Sequence, residues 1–337
     1  MQIDFGVIDH LDRQSLPIAE TYRNRIDLVR RYDAAGFWGF HLTEHHFTPL
    51  GLAPSPLLFL AACAQATSRI RLIPLVLVLP LYNPLRLASE VAMLDHLSNG
   101  RLEIATGRGI SPLELAYYGV NHLEARAIHE EAQAVLLAAL TQETVSFRGD
   151  YFRYFDVPIE LRPLQQPHPP LWGATSSPES AAGAAREKRS LAFLLPPSRV
   201  RTITDRYRET WAAEYGSAPL PRLGLARHLY VARTDAEARE RAEFGYRGWY
   251  QKLAYLWEKH DPRGLADDGM HRFDAMVIAG SPDRVADRVA EEIEQSGCNY
   301  FIGRFAYGDL SHAESVGSLE RFAEKVMPQF SPAIAVV

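Results

Sequence analysis

The chain has 337 residues, 47% apolar and 23% charged, which is the composition of an ordinary globular protein and excludes collagen-like or low-complexity chains. Its formal net charge of −5 gives no electrostatic reason to expect binding to nucleic acid or to an anionic membrane. Cys63 and Cys298 lie far apart, so the cysteines indicate neither a C-x-x-C metal site nor a disulfide framework. Residues 1–7 begin directly as a strand, without a secretory leader, and the most apolar stretch, 72–81, is too short to span a bilayer. We therefore expect a cytoplasmic protein.

In chain order, the apolar pattern alternates between strand and helix along the whole sequence. It predicts strands at 3–8, 37–42, 70–79, 101–106, 171–174, 190–195, 223–231 and 299–305. Helices are predicted at 20–35, 56–66, 84–97, 122–140, 178–186, 199–215, 235–258, 282–296 and 312–326. Eight strand–helix repeats with short connections favour a closed parallel (β/α)8 TIM barrel over an open sheet.

Two insertions interrupt the repeats, and we expect one domain over residues 1–337. Residues 141–170, after the fourth strand and its helix, are rich in Tyr, Phe and Pro and predict a small hairpin or an extended flap. Residues 261–276, after the seventh strand, predict a mobile loop that could serve as a lid.

Active sites of such barrels lie at the carboxyl ends of the strands, and Glu44-His45-His46 follows the second predicted strand. As a metal site the stretch is weak, because it lacks the H-x-H or H-E-x-x-H spacing that directs two imidazoles at one ion. As an acid/base site it is stronger, because histidine titrates near neutral pH. The spacing also allows a polar strand end whose side chains only bond the backbone. We expect His46 to support the loop and Glu44 to orient a neighbouring ring or backbone group.

Two further stretches follow the fourth and fifth predicted strands. In Thr106-Gly107-Arg108-Gly109 the glycines allow close approach of backbone to a ligand, and the guanidinium suits a phosphate. In Thr175-Ser176-Ser177-Pro178 a helix begins beside two hydroxyls, which can form an anion site. Either stretch could also be a simple turn or helix cap. Together with an apolar wall at Leu75-Val76-Leu77, however, they suit a flavin mononucleotide better than a sugar or a peptide.

Four segments resemble the bacterial luciferase-like flavin monooxygenases. They are Glu44-His45-His46-Phe47-Thr48, VLPLYNPLRLASEVAMLDHLSNGRLEIATGRG at 78–109, ATSSPES at 174–180, and GSPDRVADRV with RFAYGDLSHAESVGSLERFAEKVMP between 280 and 328. The resemblance implies a (β/α)8 barrel, commonly dimeric, that uses reduced FMN delivered by a separate NAD(P)H-dependent flavin reductase. In that family reduced flavin reacts with O2 to give a C4a-hydroperoxide, which oxygenates a substrate.

By position, the resemblance makes His45 the catalytic histidine, Arg108 the phosphate arginine, and Ser176 with the Ser177 amide the phosphate loop. Leu75-Val76 matches the place where the family has a cis peptide beside the flavin ring. The full set of candidate residues is His45 for catalysis and, for the cofactor, Leu75, Val76, Gly107, Arg108, Gly109, Thr175, Ser176 and Ser177. No metal ligand is predicted.

The sequence departs from luciferase at two of these positions, because Gly107 replaces its reactive thiol and Thr175 stands where it has glutamate. Light emission from a long aldehyde therefore does not follow. We expect a small apolar organic substrate, with Tyr82, Tyr117 and Tyr118 as candidate pocket residues.

Three alternatives stay open at this point. The first is an F420-dependent oxidoreductase that transfers hydride, and the second is a flavin-binding protein without catalysis. The third is a metal-dependent hydrolase that uses His45 and His46.

Overall fold

The computed structural model describes residues 3–260 and 270–330. The strands are β1 Asp4–Asp9, β2 Gly39–Leu42, β3 Arg71–Pro74, β4 Leu77–Val78, β5 Ile104–Gly107, β6 Thr144–Arg148, β7 Arg153–Pro158, β8 Leu171–Ala174, β9 Ser190–Phe193, β10 Leu223–Val231, β11 Val277–Gly280 and β12 Tyr300–Arg304. The α-helices are α1 Ile18–Ala35, α2 Pro56–Ala66, α3 Pro84–Leu97, α4 Pro112–Tyr117, α5 Ala125–Thr141, α6 Pro178–Arg186, α7 Pro197–Tyr215, α8 Asp235–His260, α9 Phe273–Met276, α10 Pro282–Ser296 and α11 His312–Arg321.

Helix boundaries follow local capping signals. The Asn83 side chain accepts hydrogen bonds from the backbone N–H groups of Leu85 and Arg86, and Pro84 takes the first position of α3. Helix α1 ends before Gly36, whose φ of 87° is left-handed and favours glycine. The predicted helix at 84–97 and the predicted stop at Gly36 are both confirmed.

The parallel strands form a nearly closed barrel. Pairing runs from β3 through β2, β1, β12, β10, β9, β8 and β5 to β4. Segments β3 and β4 belong to one predicted strand, and Leu72 of β3 also bridges Leu102 just before β5. The predicted (β/α)8 barrel is confirmed, and the carboxyl ends of its eight strands meet at one edge, called here the upper edge.

Four elements differ from the prediction, and one of them is the short helix α9, which occupies the end of the loop predicted at 261–276. A ninth parallel strand, β11, was not predicted, and it pairs with the end of β10 outside the eight-strand circuit. The strand predicted at 70–79 is interrupted between β3 and β4. The short helix α4 occupies a stretch that was predicted as connection.

The insertion at 141–170 contains the antiparallel hairpin β6–β7, as predicted. In the second insertion, residues 261–269 lie outside the described residues, so the lid remains a prediction; α9 lies just beyond them. None of the helices in the described part of the chain is long and apolar enough to cross a membrane.

Polar side chains also fill the opposite, lower end of the barrel, and they pair with one another. The guanidinium of Arg71 contacts the carboxylate of Glu103, and Arg222 Nη2 lies 2.6 Å from Asp4 Oδ2. These four residues are called the lower cluster. Burial lowers the pKa of nearby His41 to about 3, so its imidazole, 3.0 Å from the Tyr300 hydroxyl, is neutral.

Candidate active site

His45 lies at the upper edge, three residues after β2, and is held by a residue that the sequence did not single out. Its Nδ1 lies 3.1 Å from Glu114 Oε1, and Glu114 Oε2 accepts the backbone N–H of His46 at 2.7 Å. A carboxylate oxygen only accepts, so Nδ1 carries the proton and Nε2 is left for a ligand. Glu114 therefore fixes both the orientation and the tautomer of His45.

The role of Glu114 in holding His45 could not be predicted from the local sequence pattern. It is the third residue of α4, after the N-cap Ser111, and at that position a glutamate commonly returns to its own N-cap. Here the carboxylate instead reaches a loop 69 residues away in sequence.

His46 has both ring nitrogens engaged. Nε2 lies 2.8 Å from Glu44 Oε1, and Nδ1 lies 2.9 Å from the Tyr118 hydroxyl. Glu44 Oε2 also accepts the Val78 backbone N–H at 3.1 Å and the Tyr82 hydroxyl at 2.8 Å. Glu44 and His46 thus join the loop after β2 to β4, which is the structural support that the sequence predicted for them.

The predicted flavin wall lies between β3 and β4. The Leu75–Val76 peptide bond is cis, as the resemblance implied. A Cβ atom added at Gly107 would lie 2.5 Å from Val76 Cγ2, and one at Gly109 would lie 2.9 Å from Val78 Cγ1. Val76 therefore fills the space that a thiol at position 107 would need, and Gly109 has a left-handed φ of 82°.

The predicted phosphate residues lie in the loops that follow two adjacent strands, because β5 pairs with β8. Arg108 and Ser176 are both exposed, and within the described residues their side chains form no hydrogen bond or ion pair. The Ser177 hydroxyl accepts the Ser180 N–H at 3.2 Å as a helix cap, and the Ser177 N–H donates to Thr175 Oγ1 at 3.2 Å. Arg108 and Ser176 are thus open to a ligand, whereas the predicted Ser177 amide is already engaged.

Sequence analysis also missed His129 on α5, whose Nε2 is buried without a hydrogen-bond partner. Burial and then the charges of Arg189 and Arg108 lower its pKa. The imidazole of His129 is therefore neutral at neutral pH.

No group of three or more His, Cys, Asp and Glu side chains could hold a metal ion in residues 3–260 and 270–330. The upper edge combines a histidine held by a carboxylate, an apolar wall and an arginine that has no partner among the described residues.

Comparison with known proteins identifies the family. The model of the luciferase-like monooxygenases matches residues 3–300. The uncharacterized protein y4wF of Sinorhizobium fredii is 38% identical over 318 residues, which are 92% of either chain. The chain belongs to the luciferase-like monooxygenase family, and it is an oxidoreductase.

Characterised relatives and solved structures extend this result. The oxygenase component of the flavin-dependent trigonelline monooxygenase of Acinetobacter baylyi is 27% identical, over 97% of this chain and 95% of that one. Monooxygenase RslO1 of Streptomyces bottropensis has a TM-score of 0.88 at 25% identity, over 98% of this chain and 100% of its own.

Two less similar structures share the fold alone. The oxygenating constituent of 3,6-diketocamphane monooxygenase of Pseudomonas putida, solved with FMN, has a TM-score of 0.81 at 21% identity, over 98% and 99% of the two chains. The F420-dependent tetrahydromethanopterin reductase of Methanopyrus kandleri has a TM-score of 0.72 at 18% identity, over 98% and 100%. The fold therefore does not distinguish FMN from F420.

Proposed function

We propose that this protein is a flavin-dependent monooxygenase that uses reduced FMN and O2 to oxygenate a small organic substrate. The observation that carries the proposal is the link through Glu114. This carboxylate follows Arg108 by six residues and holds His45, so the predicted phosphate segment and the predicted catalytic histidine share one short connection.

The residues present fit FMN. Arg108 and Ser176 are exposed without partners among the described residues, and they would hold the phosphate. Gly107 and Gly109 keep the β5 end free of side chains, while Leu75 and Val76 offer an apolar face to a flat ring. Thr175 and Ser177 would act indirectly, because their hydrogen bonds shape the loop that carries Ser176.

When bound, reduced FMN supplies the two electrons with which O2 is activated. His45 would hold or deliver a proton at Nε2, because Glu114 occupies Nδ1. Glu44 would keep the β4 backbone in place through the Val78 N–H.

The remaining parts of the proposal concern partners. A separate NAD(P)H-dependent flavin reductase would provide reduced FMN, which agrees with a relative that is itself named an oxygenase component. A homodimer and a cytosolic location stay predictions from the sequence and its resemblance. We expect neither nucleic acid nor a membrane as a partner.

An F420-dependent oxidoreductase is the second candidate. It is supported by the fold that this chain shares with the F420-dependent tetrahydromethanopterin reductase. The characterised relative named flavin-dependent favours FMN. A flavin-binding protein without catalysis is disfavoured, because the chain keeps all eight barrel strands together with the His45–Glu114 pair.

A single-turnover experiment tests the proposal. Protein mixed anaerobically with photoreduced FMN is mixed with O2-saturated buffer, and flavin reoxidation is followed by absorbance. We expect a time course that differs from that of free reduced FMN and that changes in His45→Ala. A course identical to that of free flavin at saturating protein would refute the proposal.

A further inference from the structure

Arg304 is the last residue of β12, at the upper edge, and only 1% of it is exposed. Its Nη1 donates to His228 Nε2 at 2.7 Å. The other two nitrogens, Nε and Nη2, are buried and have no hydrogen-bond partner. Nε and Nη2 form one edge of the guanidinium, the edge whose two parallel N–H groups match a carboxylate.

The charges around Arg304 do not balance within the described residues. Arg25 lies 3.5 Å from Asp9 and 3.2 Å from Asp12, and Lys252 Nζ lies 2.7 Å from Asp12. Asp9 and Asp12 also act electrostatically on Arg304, so three cations share two carboxylates. At least one positive charge is therefore in excess, because burial also raises the pKa of Asp9. These five residues are called the upper cluster.

Neighbouring titratable groups do not supply the missing charge. Burial raises the pKa of Tyr307, so its hydroxyl stays neutral, and burial together with the Arg304 charge lowers the pKa of His10 and of His228. Burial lowers the pKa of Arg304 only to about 10, so the guanidinium stays charged at neutral pH. An uncompensated buried charge is costly, which makes a bound anion the natural complement.

Other unpaired polar atoms surround the same place. The buried atoms Trp249 Nε1, Tyr307 Oη and His10 Nδ1 have no hydrogen-bond partner either. The indole N–H can only donate, and the hydroxyl can donate as well. An acceptor-rich group would therefore satisfy several of these atoms at once.

Ring contacts connect this place to His45. The His45 and His10 rings stack with centroids 5.5 Å apart, and the His10 and Trp249 centroids are 5.6 Å apart. Arg304 Cζ lies 4.9 Å from the centre of the Trp249 ring. In the barrel order, β12 and β1 lie opposite β5 and β8, so Arg304 and Arg108 occupy opposite sides of the upper edge.

We propose that Arg304 binds the carboxylate of an organic acid, with Nε and Nη2 as a bidentate pair and Trp249 and Tyr307 as additional donors. That the acid is the substrate rests on the proposed function, since the site is joined to His45 through His10 and Trp249. The substrate, which the sequence predicts to be apolar, would then consist of an apolar body that carries one carboxylate. The unpaired nitrogens are closed to solvent here, so binding requires the covering side chains to move.

The test uses acetate as probe anion and acetamide as its neutral counterpart, titrated into the flavin-free protein at constant ionic strength. Calorimetry and thermal unfolding report binding. A charged bidentate contact is worth about 1.5–3 kcal/mol, so acetate should bind at least about tenfold more tightly than acetamide. This preference should disappear in Arg304→Gln and persist, weakened, in Arg304→Lys.

Two control variants separate this site from other anion sites. Arg222→Gln removes an arginine that also lies over a tryptophan, 3.6 Å from the Trp38 ring centre, but at the lower end of the barrel. Arg108→Gln removes the predicted phosphate arginine. Both should keep the acetate preference.

Equal binding of acetate and acetamide, or an acetate preference that survives Arg304→Gln, would overturn the proposal. Loss of the preference in Arg108→Gln alone would place the anion at the flavin site and overturn it as well. Arg304→Gln breaks no ion pair and loses only the hydrogen bond to His228 and the contact with the Trp249 ring, so the melting temperature of the ligand-free protein should fall only slightly. A large loss would assign Arg304 a structural role and overturn the proposal. The acetate experiment contains neither flavin nor O2. Its failure would therefore not refute the proposed monooxygenase function, and failure of that function would not change the acetate result.

Discussion

The arginines at the two ends of one barrel are paired differently. In the lower cluster each arginine faces a carboxylate, Arg71 with Glu103 and Arg222 with Asp4. In the upper cluster Arg304 has no carboxylate within 4.0 Å among the described residues. Arg71 Nε, Arg222 Nε and His41 Nδ1 at the lower end are also buried without a hydrogen-bond partner. Each arginine of the lower cluster nevertheless has a carboxylate beside it, whereas Arg304 at the upper edge has none. Mutations at the lower end should therefore change stability, and mutations at the upper edge should change ligand binding and activity.

The largest effect is expected at His45. Replacing it with alanine should slow the oxygen-dependent step by about 10²–10⁴-fold, the usual contribution of a positioned acid or base. Some stability should be lost as well, because the His45 side chain is only 12% exposed and leaves Glu114 without its partner. Stopped-flow reoxidation of reduced FMN measures the rate, with the exposed His122→Ala as control. A rate equal to that of the unmodified protein would remove His45 from the mechanism.

At the lower end, Glu103→Gln should lower the free energy of unfolding by about 3 kcal/mol, the lower part of the range for breaking a buried ion pair. The loss is limited because Arg71 is 24% exposed and keeps its hydrogen bond to Gln165 at 2.9 Å. Urea denaturation measures this loss in the free energy of unfolding. Glu90→Gln, in the exposed pair with Arg86, should cost less than about 1 kcal/mol. If Glu103→Gln reduced flavin binding and left stability unchanged, the division between the two ends would be wrong.

Arg108→Gln should weaken binding of reduced FMN by about 10–100-fold, which corresponds to the loss of charge-assisted hydrogen bonds to a phosphate. The free energy of unfolding should stay within about 0.5 kcal/mol, because Arg108 is exposed. Anaerobic titration measures the affinity, and Arg86→Gln is the matched surface control. An unchanged affinity would show that the phosphate lies elsewhere.

A smaller effect concerns pH. His41 is neutral in the folded protein down to about pH 3, whereas in the unfolded chain it takes up a proton near pH 6.5. Its stabilisation is complete above pH 6.5 and is lost as the pH falls, by about 1.4 kcal/mol per unit. His10 and His228 act in the same direction. Unfolding free energies at pH 6.5 and 5.5 should therefore differ less in His41→Gln than in the unmodified protein. An identical difference would mean that the pKa of His41 is the same in the folded and the unfolded protein.

Local signals explain what the sequence could predict. Strand β8 and helices α2, α3, α6 and α10 have the predicted bounds, because Ser-Pro or Asn-Pro caps and apolar periods define them within a few residues. Strand β11 was missed because Val277–Gly280 is too short to show a period and is defined by pairing with β10.

Long-range contacts explain what was missed at the site. Arg108 and His45 follow from residue type, position and resemblance. Glu114 did not, because its role depends on a contact with a distant loop. The role of Arg304 could not be predicted from the sequence either, because a buried charge without a carboxylate partner is visible only when its surroundings are known.

Binding of reduced FMN at the upper edge can be measured in one anaerobic titration. Protein is titrated in parallel with reduced FMN and reduced F420, for the unmodified chain and for Arg108→Gln. We expect saturable binding of reduced FMN that Arg108→Gln weakens, with reduced F420 bound at least about tenfold less tightly. Tighter binding of F420, or no binding of reduced FMN, would contradict this expectation.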